Sequence, residues 1–210
     1  MIKVQQACGV VAMQRSVDSL LVATMSAMKA FDSLEAAPGY ASPAPKASRL
    51  SPVPLMGGAA GLGLGLALGE PERKVIVVDG DASLLLELSS LVTVAQAAPL
   101  NFLHLVINNG HQFTGLANLD APAKDFNFAE AARIAGYQHT FTIDDDATWD
   151  ERFAEIQNLN GPTFVELRAQ PTPSLAKSGF EQTELPDHQF QRMGLEAQAM
   201  QQLLRSEVLR

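Results

Sequence analysis

A single cysteine, Cys8, stands among 210 residues. No internal disulfide framework can form from it, nor can a multi-cysteine zinc or iron–sulfur site be built within the chain. That usage fits a reducing cytoplasm. Basic residues are scarce as well: 15 lysines and arginines face 23 aspartates and glutamates, a net charge of −8. Such a chain has no broad electrostatic grip on nucleic acid or on an anionic membrane surface, so anionic ligands must be held locally. Long apolar runs are missing too. The most membrane-like stretch, "LMGGAAGLGLGLALG" (55–69), is glycine-rich and shorter than the roughly 20 residues a spanning helix needs. The first residues lack the apolar core of a signal peptide, so export is not expected. No internal repeat is found.

What is present is a globular composition, 47% hydrophobic with modest charge, enough for one well-buried domain. We read that domain over residues 1–170, followed by a tail, 171–210, with a last helix near 190–208 that packs on something outside the core, a partner chain being the expected surface. Residues 2–16 read as a helix, "SLLVAT" (19–24) as a strand and 25–35 as a second helix. Residues 37–54 hold five of the twelve prolines and can continue neither element; a spacer and a functional loop over the sheet are equally open readings. "KVIVVD" (74–79), "NFLHLVI" (101–107) and "TFVELR" (163–168) are short, valine- and isoleucine-rich runs with little alternation, the pattern of strands buried on both faces of a parallel sheet. Between the first two, Leu84, Leu88, Leu91 and Ala95 recur at helical spacing. Helices also read at 128–136, closed by a glycine, and at 148–159, with Trp149, Phe153 and Ile156 on one face. Strand and helix alternate, so the fold class is α/β, a mostly parallel sheet flanked by helices on both faces.

In such sheets ligands sit beyond the carboxyl ends of the strands. Asp79, Gly80, Asp81 and Ala82 follow one strand, and Asn108, Asn109 and Gly110 follow the next. A carboxylate and an amide oxygen brought together there are hard ligands suited to magnesium or calcium. Turn and capping chemistry alone also accounts for an isolated "GD" or "NN"; the conjunction of strand, acidic turn, helix, strand and double asparagine favours a site. The glycine-rich segment has neither the GxGxxG spacing of a dinucleotide fingerprint nor a P-loop lysine. It reads as a helix entered through Gly57 and Gly58, either packed closely in the core or presenting free N–H groups to an anion. Among the histidines, His104 reads as a core residue within a strand, whereas His111 sits at a loop mouth with Gln112 and Thr114. Cys8 and His139 carry no usable signal.

"GDAS" (80–83), the 28 positions from Asp81 to Asn109 in "NNGH" (108–111), and the upstream "LMGGAAGLGLGLALG" together resemble the diphosphate-binding domain of thiamine diphosphate enzymes. The similarity covers roughly residues 15–170 and is greatest to the two-subunit sulfopyruvate decarboxylases and to phosphonopyruvate decarboxylase. The resemblance implies that Asp81, Asn109 and the main-chain oxygen of His111 hold a Mg2+ ion on the cofactor's diphosphate. It further implies that Gly57, Gly80, Ala82 and Ser83 line the diphosphate, that Met56 bends the cofactor, and that the Pro54 carbonyl accepts from its aminopyrimidine. His111, Gln112 and Thr114 would reach a small 2-oxo acid. The family usually carries glycine where Ala82 stands, a change compatible with ordinary backbone angles only. The glutamate that activates the cofactor belongs to a separate pyrimidine-binding domain in this family, and Glu87 reads as a surface or interface residue. The resemblance therefore implies a pyrimidine-binding α subunit as partner, in a heterodimer or heterotetramer. Lys46 and Arg49 are the basic residues available for a second anionic group on the substrate. Carboligation, a split transketolase and a non-catalytic regulatory subunit are the rival readings.

Overall fold

The computed structural model describes residues 1–113, 118–121, 125–171 and 186–208. Six strands form one parallel sheet: β1 (Leu20–Ala23), β2 (Arg49–Leu50), β3 (Val75–Gly80), β4 (Phe102–Asn108), β7 (His139–Ile143) and β8 (Thr163–Arg168), in the order β2-β1-β3-β4-β8-β7. A two-stranded antiparallel ribbon, β5 (His111–Phe113) with β6 (Asn118–Asp120), stands apart. Helices α1 (Val4–Gln14), α2 (Met25–Glu35) and α7 (Asp146–Ile156) cover one face; α3 (Ala59–Gly69), α5 (Ser90–Ala97) and α6 (Phe128–Ala135) cover the other.

The strands lack sequence alternation because both faces are dry. In β3, Ile76 and Val78 join the core under α1, α2 and α7, whereas Val75 and Val77 join the core under α3, α5 and α6. Such two-sided burial is what near-continuous apolar runs encode. Trp149 and Phe153 pack edge-to-face at 5.1 Å, and the indole N–H donates to the Ala7 carbonyl at 3.1 Å, tying α7 to α1. Cys8 is buried in that layer, and burial pushes its thiol up to about 12.

The glycine-rich helix α3 owes its composition to one close approach. A Cβ built on Gly63 would lie 2.3 Å from Val77 Cγ2 and 3.1 Å from a Phe102 ring carbon, whereas Gly61, Gly65 and Gly69 have open space around them. α3 thus presses on the sheet where β3 and β4 meet.

Several local details differ from the sequence reading. The stretch after Asp81 is two helices, α4 (Asp81–Leu86) and α5, broken at Glu87, whose φ and ψ of −138° and 50° leave the helical region. Gly57, at φ +86°, sits against that break: a side chain there would meet Glu87 Cβ at 2.9 Å. The break seats the turn that leads into α3. β2, β7 and the β5–β6 ribbon were not anticipated. β7 is an edge strand, mostly half-buried, with a threonine-rich pattern that signals weakly. Residues 37–54 are structured rather than slack, containing a single 3-10 turn (Lys46–Ser48) and β2.

The last helix, α8 (Pro186–Val208), lies against that turn and β2 of its own chain. Arg49, 2% exposed, pairs with Asp32 at 2.5 Å and with Glu35 at 3.2 Å. Arg192 of α8 grips both oxygens of Asp32 at 2.7 Å, and Glu196 accepts from the Ser51 N–H at 2.6 Å. Burial alone would raise the Asp32 carboxyl; the hydrogen bonds from Arg192 and Arg49 outweigh it and hold the group below its ordinary range. One face of α8 is therefore committed within the chain. No helix among the described residues is long and apolar enough to cross a membrane.

Two substitution sets test this packing. Gly63→Ala should destabilise the chain by about 1–3 kcal/mol, the usual cost of overpacking, whereas Gly61→Ala and Gly65→Ala should stabilise it by about 0.5–1 kcal/mol each through helix propensity; urea denaturation reads both, and equal effects would refute the close contact. Asp32→Asn should cost about 1–3 kcal/mol by removing a half-buried charged acceptor shared by Arg49 and Arg192, measured by thermal denaturation.

Candidate functional site

The chain crosses from one face of the sheet to the other between β1 and β3. α2 leaves β1 on one face to reach β2 at the sheet edge; α3 returns on the opposite face to β3. Loops at such a switch point diverge, and a crevice opens beyond the carboxyl ends of the strands. The register brings those ends level, Ala23 opposite Val78 and Gly80 opposite Ile107. The crevice is lined by Thr24, Met25 and Ser26 after β1, by Gly80, Asp81, Ala82 and Ser83 after β3, and by Asn109, His111 and Gln112 after β4; Pro52, Val53 and Met56 close its side.

Asp81 is buried at the start of α4, and its Oδ2 accepts the Gly110 N–H at 2.8 Å. This bond clasps the turn after β3 to the turn after β4. Burial pushes the carboxyl up to about 6, against the opposing pull of the Ala82 and Gly110 N–H groups. Asn109 is buried beside it; its Oδ1 accepts the His111 N–H at 3.1 Å, and His111 Nδ1 lies 2.8 Å from the Asn109 carbonyl. The far nitrogen of His111 faces Asp120 of the ribbon at 3.7 Å. Ser83 Oγ accepts the Gly57 N–H at 3.1 Å, joining α4 to the start of α3. Met56 is 46% exposed, its thioether on the crevice wall.

Of the residues singled out from the sequence, Met56, Gly80, Asp81, Ala82, Ser83, Asn109, His111 and Gln112 line this one crevice. Gly57 stands behind it, attached through Ser83. Pro54 lies in the adjoining turn, while its neighbours Pro52 and Val53 face the crevice. Thr114 lies outside the described residues. Ala82 is an ordinary helical residue of α4, Ala98 being the one non-glycine with positive φ among the described residues, so its methyl group imposes no backbone strain. The expected role of Lys46 and Arg49 is not met: both belong to the Asp32–Glu35 cluster, Lys46 pairing with Glu35 at 3.0 Å, and neither lines the crevice. Glu87 is exposed and accepts from Ser89 Oγ.

Thr24, Met25 and Ser26 were missed, although their place after the first strand is the same signal that identified Asp81. Behind the crevice lies polar support that the sequence did not announce. Asn108, the other half of the double asparagine, donates to buried Glu166 at 2.9 Å, which also accepts from the Ala129 N–H at the start of α6. Asp79 accepts the Gly80 N–H at 2.8 Å and faces His104 Nε2 at 3.6 Å; His104 Nδ1 meets the Tyr137 hydroxyl at 3.2 Å. The pair of asparagines thus divides its labour, one toward the core and one toward the crevice.

The donor chemistry suits a hard cation shared with a phosphate. Among the described residues no three His, Cys, Asp or Glu side chains converge on a metal position. One carboxylate, one amide and a main-chain carbonyl leave about half of an octahedral magnesium shell for ligand oxygens. A Cβ added to Gly80 would meet no protein atom within 4 Å, so the crevice floor is open to a bulky group.

The chain is similar to known proteins. Residues 51–167 match the family model described as thiamine pyrophosphate enzyme, C-terminal TPP binding domain. The chain is 44% identical over 119 residues to phosphonopyruvate decarboxylase of Streptomyces viridochromogenes, covering 55% of this chain and 29% of that one. It is 34% identical over 124 residues to sulfopyruvate decarboxylase subunit beta of Methanothermobacter thermautotrophicus, covering 55% and 59%. The match thus spans less than two thirds of either relative. In fold it is similar to a Rhodococcus jostii thiamine diphosphate-dependent 4-hydroxybenzoylformate decarboxylase, with a TM-score of 0.66 at 20% identity over 81% of this chain and 33% of that one. The crevice at the β1–β3 switch, its acidic turn and its paired asparagines are those of a chain that belongs to the thiamine pyrophosphate enzymes, through their C-terminal TPP-binding domain.

Proposed function

We propose that this chain is the cofactor-binding subunit of a two-subunit thiamine diphosphate-dependent 2-oxo acid decarboxylase of the sulfopyruvate or phosphonopyruvate type. The observation that carries the reading is the clasp between Asp81 and Gly110, which sets a carboxylate and the Asn109 amide on adjoining strand ends above the small-residue turn 80–83. Residues 1–170 form the binding domain and 171–210 its tail.

In this reading Asp81, Asn109 and the main-chain oxygen of His111 hold Mg2+, and Gly80, Ala82 and Ser83 face the diphosphate at the amino end of α4. Gly57 fixes Ser83 in place. Met56, unbranched and adaptable, fills the space that holds the cofactor bent; the 52–54 turn offers the main-chain acceptor expected of Pro54. His111, Gln112 and Thr114 form the mouth that meets the 2-oxo acid. When bound, thiamine diphosphate supplies the electron sink for loss of carbon dioxide; the protein orients it and excludes water. A partner of the pyrimidine-binding kind contributes the activating glutamate, in a heterodimer or a symmetric heterotetramer. Support for the partner comes from the relatives named as beta subunits.

Calorimetric titration of the chain mixed with its partner should show thiamine diphosphate binding that requires Mg2+; absence of binding would remove the enzyme reading. Asp81→Ala should weaken that binding on the order of a hundredfold. The pH dependence has a defined sign. The fold raises the Asp81 pKa from 3.8 to about 6, so this group's contribution to the stability of the free chain is full below about 4 and is lost as pH rises through about 6. Metal binding runs the other way, because it needs the carboxylate: Mg2+ affinity should fall about tenfold per pH unit below about 6, and equal affinities at pH 5 and pH 7 would exclude Asp81 as a ligand. Met56→Ala should lower cofactor affinity about tenfold while changing stability by less than about 1 kcal/mol, since the side chain is half-exposed.

A further inference from the structure

A second cavity, of about 430 Å3, lies beside α1 and the proline-rich loop and shares no lining residue with the crevice. Its walls include Arg15, Phe31, Glu35, Tyr40, Ser42 and Lys46, with several alanines. Arg15 is 5% exposed, and its Nε and Nη1 have neither solvent nor a hydrogen-bond partner. It forms no ion pair among the described residues. Glu35 acts on it at a distance, but the nearby carboxylates already have cationic partners. Glu35 is taken by Lys46 at 3.0 Å and Arg49 at 3.2 Å, and Asp32 by Arg49 and Arg192. Burial pushes Arg15 down to about 10, which still leaves it a cation at neutral pH. A buried cation without a counterion is rare because desolvation opposes it.

We propose that this cavity is a binding site for a small organic monocarboxylate, whose carboxylate pairs with Arg15 and whose apolar body lies against Phe31 and Tyr40. A buried guanidinium is suited to a carboxylate, which supplies charge and hydrogen-bond acceptors together. One surplus positive charge calls for one negative charge; a dianion would meet the Glu35 carboxylate at the same wall. The volume falls in the range of small-molecule sites, and the lining mixes apolar with polar groups. The cavity stands at the far end of α2 from the crevice: Met25 lines the crevice and Glu35 the cavity.

Sodium benzoate is the probe, titrated calorimetrically into the full chain with thermal denaturation in parallel. The wild type should bind benzoate saturably with one site per chain and gain Tm. Arg15→Met should lose the benzoate-dependent gain while matching or exceeding the wild-type Tm without ligand, because an unpaired buried charge has been removed. Ala41→Trp, which keeps Arg15 and narrows the cavity, should weaken binding about tenfold. Asp81→Ala should bind benzoate as the wild type does, which separates this site from the cofactor crevice. Undiminished binding to Arg15→Met, no saturable binding to the wild type, or tighter binding of inorganic phosphate than of benzoate would overturn the proposal.

Discussion

Everything at the crevice depends on the register that holds β1, β3 and β4 parallel and level at their carboxyl ends. In a parallel pair the hydrogen bonds fix the relative height of two strands along their whole length, and here Gly80 stands opposite Ile107. A shift of one residue would turn Val77 away from the glycine-rich helix and carry Asp81 out of reach of Gly110. The close approach at Gly63 and the clasp at Asp81 are thus two ends of one constraint, the first enforcing the register from the helix layer and the second exploiting it at the rim.

The crevice is also held from behind. Glu166 and Asp79 are carboxylates placed in the sheet interior, where charge is costly unless hydrogen-bonded. Each is anchored to a residue bordering the crevice, Glu166 through Asn108 and Asp79 through the Gly80 N–H. The end of β4 is fixed by a side chain from the neighbouring β8 and the end of β3 by one of its own, so the loops beyond them start from defined positions. Preorganisation of this kind lets a site hold a ligand without first ordering its own backbone.

The fold was legible because its strongest signals are local: two-sided apolar runs for β3, β4 and β8, a glycine cap after α6, and aromatic spacing along α7. The crevice residues after β3 and β4 were legible because small polar residues interrupt apolar strands abruptly. What escaped was decided by contacts distant in sequence. Nothing within residues 83–98 reports that Gly57 will press on Glu87 and split the helix. Arg49 looked available for a ligand because its partners, Asp32 and Glu35, lie on α2, and a third, Glu196, lies on the last helix. Asn108 and Asn109 are identical in type and adjacent, and only the pleat of β4 sends one inward to Glu166.

The two-residue strand β2 forms one border of the sheet, and borders of sheets are natural templates for another strand. Here the chain continues at once into Ser51, whose N–H is capped by the Glu196 carboxylate while α8 lies across the strand. A carboxylate in that position offers no donor with which an incoming backbone could form a ladder. The last helix thereby acts as a guard against edge-to-edge aggregation, closing this side of the sheet to strand addition from any other chain.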